Sequence, residues 1–185
     1  MKLLIFDNYE VKPAPELLLV KPFRKLYNQD RSRTKEQFMQ QLSYVFFMVD
    51  PRSTYAYMID EEEREKAIIE QEGLPQDFHP SPTLVEAMKI YAKHTETTSS
   101  KLLNSTRVAI DALVGEMNNA KELLDERTDK GARVTKTNDL ITSINNVMKM
   151  IPQLQDLEKK VAAEITEKET RAKGAENKMF EDGAF

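Results

Sequence analysis

From Pro82 to about Glu126 nothing in the sequence forces a helix to stop. An uninterrupted α-helix of about 45 residues, at 1.5 Å per residue, would be about 67 Å long. That is longer than a small domain is wide, so this stretch constrains the fold more than any other feature. Its weakest part is His94-Thr95-Glu96-Thr97-Thr98-Ser99-Ser100, which is poor in helix formers and is the place for a break or a kink, leaving 82–126 as one helix or two. Downstream, Leu103, Ile110, Leu113, Met117, Ala120 and Leu124 are spaced by threes and fours, with Thr106 filling the gap, the pattern of a coiled-coil-like seam. Arg127–Thr137, with Gly131, is the expected turn. A second long helix, with Asn138 or Thr137 as its cap, repeats the spacing through Leu140, Ile144, Val147, Ile151, Leu154, Val161 and Ile165, with Glu158 as a polar intrusion. Pro152 inside it removes a backbone donor and predicts a kink or division near Met148.

Two such helices joined by a short turn predict a long antiparallel hairpin. A lone two-helix hairpin buries little, so the seams ask for a third surface, either the N-terminal part or other copies of the chain.

The first part of the chain is different. Eleven of 14 aromatic residues lie in 1–80, and seven of eight prolines lie in 1–82. The expected fold class is therefore mainly α: a compact helical N-terminal unit (1–80) with short extended segments, then the hairpin (81–167), then a flexible charged tail (168–185). Within 1–80, residues 2–6 predict a short strand, and their apolar run ends at Asp7, too soon for a signal peptide. Pro13 and Pro15 predict extended chain to residue 21, with Leu17–Val20 buried. Pro22 opens a short helix. Thr34 is the expected cap of a second helix, whose Phe38, Leu42, Val45, Phe46 and Val49 share one face until Asp50-Pro51 ends it. Tyr55, Tyr57 and Ile59 alternate as a short strand or extended link. Asp60 with Glu63 caps a third helix that stops at Gly73. Ser81-Pro82 is a strong start signal for the long stretch.

The chemistry is mostly exclusion. With no cysteine there is no disulfide, thiolate zinc site or thiol nucleophile. No two of the five glycines lie within eight residues of each other, which argues against phosphate-cradling loops. His79 with Asp77, and His94 with Glu96, offer ligand pairs but not the three or four converging groups a metal needs. Asp60–Glu63 lacks the spacing of a calcium loop and suits a helix N-terminus. Ser81, Ser99 and Ser100 have no catalytic context. The expectations are no enzyme activity, no cofactor, no small-molecule substrate and no membrane span.

The sharpest polar feature is Lys21, Arg24, Lys25, Arg31, Arg33 and Lys35, six cations against Asp30 alone, with Phe23 and Tyr27 between them. Such a patch can meet phosphates or an acidic partner. Its two short helices suggest a helix-turn-helix without the usual turn glycine. The net charge, −3 for 1–80 and −1 for 81–185, does not favour general nucleic-acid coating.

Three passages carry a family resemblance: Phe47-Met48-Val49-Asp50-Pro51-Arg52-Ser53-Thr54-Tyr55-Ala56-Tyr57, Glu70-Gln71-Glu72-Gly73-Leu74-Pro75, and the helix from Leu84 to Leu103. Over about residues 40–170 the chain resembles small helical virion proteins of tailed bacteriophages, the crAss-like phages in particular. The resemblance implies a homo-oligomeric ring or connector of the neck region, beside portal or neighbouring neck and tail rings, in a virion assembled in the host bacterial cytoplasm. It transfers no catalytic residue. Low glycine and the absence of a β-sandwich pattern depart from tail-tube proteins. The alternative expectation is a DNA-packaging factor, like a small terminase subunit, using the 21–35 patch on duplex DNA.

Overall fold

In the computed structural model the chain is mainly helical, with one small two-stranded sheet. The structure describes residues 1–7, 9–127 and 137–181, with side chains as far as Thr170. Most of the expected turn at 127–137, and the tail beyond residue 181, lie outside the described residues.

Strand β1 (Leu4–Asp7) pairs antiparallel with β2 (Glu10–Pro13), Leu4 opposite Pro13 and Asp7 opposite Glu10. Tyr9, at the turn between them, takes a left-handed φ of 63°. The prolines do not keep the next segment extended: Pro15–Leu19 is a 3-10 turn that buries Leu17 and leaves Leu19 73% exposed. Helix α1 (Lys21–Gln29) starts with Pro22 in its first turn, where a missing N–H costs nothing.

Helix α2 (Glu36–Val49) is where the sequence reading was too narrow. Besides Phe38, Leu42, Val45 and Phe46, it buries Tyr44 and Phe47, so it is wrapped by the core rather than lying on it. Thr34 is not its cap. Thr34 Oγ1 bonds the Glu36 carboxylate at 2.9 Å, and the backbone N–H of Phe38 donates instead to Asp30 Oδ2 at 3.0 Å. Tyr55 and Tyr57 lie in turns over Pro51–Tyr57, not in a strand.

Helix α3 (Glu61–Gln71) has the expected caps. Asp60 Oδ1 accepts from the Glu63 N–H at 2.9 Å, and Gly73 takes φ 67°, a left-handed geometry that suits glycine just past a helix. Helix α4 (Pro82–Thr95) starts as read, with Ser81 Oγ accepting from the Leu84 N–H at 3.2 Å. It stops in the weak stretch: Glu96 is extended, and α5 (Thr98–Asn118) begins two residues later. Helix α6 (Ala120–Asp125) follows, and α7 (Thr137–Glu181) carries Pro152 in its interior.

By contact the chain divides into Met1–Thr97 together with the end of α7 from Val161, and Thr98–Lys160. The expected boundary at 80/81 differs from this division because α4 contributes Leu84, Ala87 and Tyr91 to the N-terminal core. Nor does a loose tail start at 168: Lys168 and Glu169 are helical and engaged, as described below.

The core of the first unit runs from Leu3 to Tyr91 and is rich in rings. Phe6 stacks on Phe46 at 4.9 Å, Phe46 meets Phe47 edge-on at 5.4 Å, and Phe47 meets Tyr55 at 5.3 Å. Leu42 is fully buried in this cluster, so Leu42→Ala should cost about 2–5 kcal/mol, part transfer and part cavity. The expected readout is a lower urea midpoint with an unchanged slope.

Candidate functional site

The basic segment is built by α1 and its link to α2. On α1 the buried residues are Pro22, Phe23 and Leu26, which turns Lys21, Arg24 and Lys25, at i, i+3 and i+4, to the exposed face. Arg31 and Arg33 are exposed in the link. Lys35 is not part of that surface. Its Nζ donates to the Tyr27 carbonyl at 3.3 Å and to the Asp30 carbonyl, and lies 4.6 Å above the Tyr27 ring. It locks the link instead of facing outward. Asp30 completes the lock, accepting from the N–H groups of Ser32 and Phe38, and the bonds from Ser32 and then Phe38 hold its carboxyl below the ordinary range. Five cations thus stand exposed on α1 and on a link tied together by Lys35 and Asp30.

The two seams are divided between the compact units. In Thr98–Lys160, Leu103 and Val147 are buried; Ile110, Leu113, Met117, Leu124, Leu140, Ile144 and Leu154 are half-buried; Ile151 is 44% exposed. Val161 and Ile165 are buried and fall, by contact, with the first unit. In the second unit, Arg107 Nη2 on α5 donates to Glu158 Oε1 on α7 at 2.7 Å, so the polar intrusion in the seam has a partner. Arg107 Nε is buried without an acceptor.

The sequence reading missed a buried polar cluster in the first unit. Asp50 ends α2 and is only 1% exposed. Its Oδ1 accepts from the Arg52 backbone N–H at 2.8 Å and from Arg52 Nε at 2.9 Å, and its Oδ2 accepts from Arg52 Nη2 at 2.8 Å. The Tyr91 hydroxyl on α4 donates to Oδ2 at 2.6 Å. Burial works against the Arg52 charge, but the paired Asp50 carboxylate outweighs it and holds the guanidinium above its ordinary range. Burial, then the Asp50 charge, pushes the Tyr91 phenol up, so it stays a donor. Glu169 on α7 sits at the edge of this cluster, its Oε1 3.5 Å from Arg52 Nη2, buried and without a hydrogen-bond donor. Asp50-Pro51 was legible only as a helix stop; the Arg two residues on was the available clue.

His94 at the end of α4 is half-buried, and its Nε2 lies 2.7 Å from the Met1 carbonyl. A carbonyl only accepts, so the neutral ring carries its proton on Nε2. Burial chiefly lowers the His94 pKa, with Lys168 adding to the effect and the Met1 bond opposing it. His79 is exposed, and among the described residues no three His, Asp or Glu side chains converge as metal ligands. No helix among them is long and apolar enough to cross a membrane. No family model, curated protein or solved structure matches the chain.

Removing the cation of the buried pair leaves two carboxylates uncompensated, so Arg52→Met should destabilise by about 3–5 kcal/mol in urea unfolding. The lowered His94 pKa means that the unfolded chain takes up a proton first as pH falls. Its contribution is complete above the unfolded pKa of about 6.5 and is lost as pH falls toward the folded pKa. His94→Gln should therefore flatten the stability profile below about pH 6.5, read by thermal unfolding across pH.

Proposed function

We propose that this chain is a non-enzymatic structural protein that works by multi-copy assembly, as a ring or connector component in the head–tail region of a tailed phage particle. One observation carries the assembly reading. Among the described apolar residues of Thr98–Lys160, only Leu103 and Val147 are fully buried, while Leu102, Val108, Val114, Ile141, Met148 and Ile151 are exposed. A unit of this size with so little core does not repay its chain entropy alone and gains from surface supplied by other copies. The phage setting, with portal or neighbouring ring proteins as partners and the host cytoplasm as the place of assembly, rests on the resemblance of residues 40–170.

The finer architecture belongs to the same proposal. Helices α5 and α7 pair as an antiparallel hairpin pinned by Arg107 and Glu158. That register sets Ile110 beside Leu154, Met117 beside Val147, and Leu124 beside Leu140. Seam burial at roughly 25 cal/mol per Å² then supplies association energy, and the ion pair selects register.

A second reading is supported by the five exposed cations, Lys21, Arg24, Lys25, Arg31 and Arg33: a DNA-packaging factor that contacts phosphates through α1 and its link to α2.

Light scattering on the full chain tests the first reading. An oligomer is expected at micromolar concentration, and Met148→Asp with Ile151→Asp should weaken it at least tenfold while leaving the first unit folded. A stable monomer across the concentration series overturns self-driven assembly. The same samples carry the DNA comparison. Salt-dependent duplex binding that disappears when Arg24, Lys25, Arg31 and Arg33 become Ala favours the packaging reading, and no binding at low salt removes it.

A further inference from the structure

The end of α7 has a seat on the first unit. Val161 and Ile165, one turn apart on one helix face, are each 1% exposed. One turn further, Lys168 Nζ donates to the His94 carbonyl at 2.7 Å and to the Glu96 carbonyl at 3.3 Å. These carbonyls lie at the C-terminal end of α4, where the helix dipole concentrates negative charge. Glu169 turns its carboxylate to the Arg52 guanidinium. Segment and seat are therefore complementary in charge: a cation meets carbonyls and an anion meets a guanidinium.

Two observations make this segment an addition to the first unit and not its foundation. Among the described residues, the buried cluster of that unit draws its apolar side chains from Leu3 to Tyr91, and the buried Val161 and Ile165 of α7 lie outside it. The carboxylate of Asp50 is already satisfied by Arg52 and Tyr91. Glu169 brings a second carboxylate to one guanidinium and keeps a buried oxygen without a donor. The Asp50 clasp is closed without the segment, and the segment fits beside it imperfectly.

The connection between seat and segment is Thr98–Lys160, in which, among the described residues, only Leu103 and Val147 are buried apolar side chains. The same segment from a second copy would make identical contacts in the seat. Which one occupies it is then decided by the connection, not by the contacts. We infer that Val161–Thr170 is an exchangeable arm: in the multi-copy state it leaves its own first unit and seats on that of a neighbouring copy, against Arg52 and the C-terminal carbonyls of α4. This rests on the assembly reading above and names the joint that assembly uses. An arm passed on to the next copy is a heterologous contact, and a series of them closes into a ring where the rotation per copy allows.

The absence of cysteine makes the test clean. One full-length chain carries Glu96→Cys, another carries Lys168→Cys, and the two bear tags of different length and are co-expressed. A short bismaleimide should join unlike chains within the oligomeric fraction. A third chain with both substitutions reports the unexchanged arm by linking within itself. An oligomer that links only within the doubly substituted chain overturns exchange and leaves assembly standing. An oligomer with no link in either arrangement overturns the arm-and-seat contact. A monomer overturns both this inference and the reading it rests on. Independently, Val161→Asp with Ile165→Asp should shift the oligomer toward monomer at least tenfold, and an unchanged oligomer also overturns the inference.

Discussion

A carboxylate placed where water does not reach must be answered by the chain, and Asp50 is the point around which this fold answers one. It ends α2, is gripped by the side chain and backbone of Arg52 two residues on, and receives the Tyr91 hydroxyl from α4. Breaking such a pair costs far more than replacing it, because either partner left alone is a buried unpaired charge. The pair therefore specifies geometry more than it adds stability: α2 has to stop there, the turn after it has to fold back, and α4 has to lie with Tyr91 facing inward. Around it, Arg64 of α3 reaches the carbonyls of Met48 and Met58, and the Tyr44 hydroxyl meets Glu65 at 2.8 Å. Polar clasps thus orient helices whose adhesion is apolar.

The parts of this fold legible in the sequence were those whose signals are local. Ser81-Pro82, Asp60 with Glu63, and Gly73 each announce a helix end through the chemistry of a few neighbouring atoms, and each acts as expected. The break at His94–Ser100 followed from residues that prefer to bond their own backbone. What stayed hidden is non-local. Nothing near Thr34 says that Asp30, across the link, will take the Phe38 N–H. Nothing near Tyr91 says that its hydroxyl will find Asp50 some forty positions back. The six cations were visible as a patch, but only folding shows that Lys35 turns inward while the other five face out. The threes-and-fours pattern of the long helices was legible, whereas the hand-over at Val161 from one compact unit to the other was not, because the spacing continues through it.

The two compact units solve the burial problem differently. The first closes a core of aromatic and aliphatic side chains from a short stretch of chain, where Phe6, Phe46, Phe47 and Tyr55 form one run of ring contacts. The second spends its apolar residues along helices, where most are half-covered at best. Length without depth leaves apolar area along those helices only partly covered within the chain.

The core from Leu3 to Tyr91 is contiguous in sequence, and this bears on the order in which the protein is made. Translation delivers that stretch first, and domains tend to fold as they emerge. The first body can therefore close on the ribosome before the seam helices have left it. The seam helices then emerge after it, tethered to a core that is already closed, which shortens the time during which half-covered apolar helices are exposed together with an unfolded core.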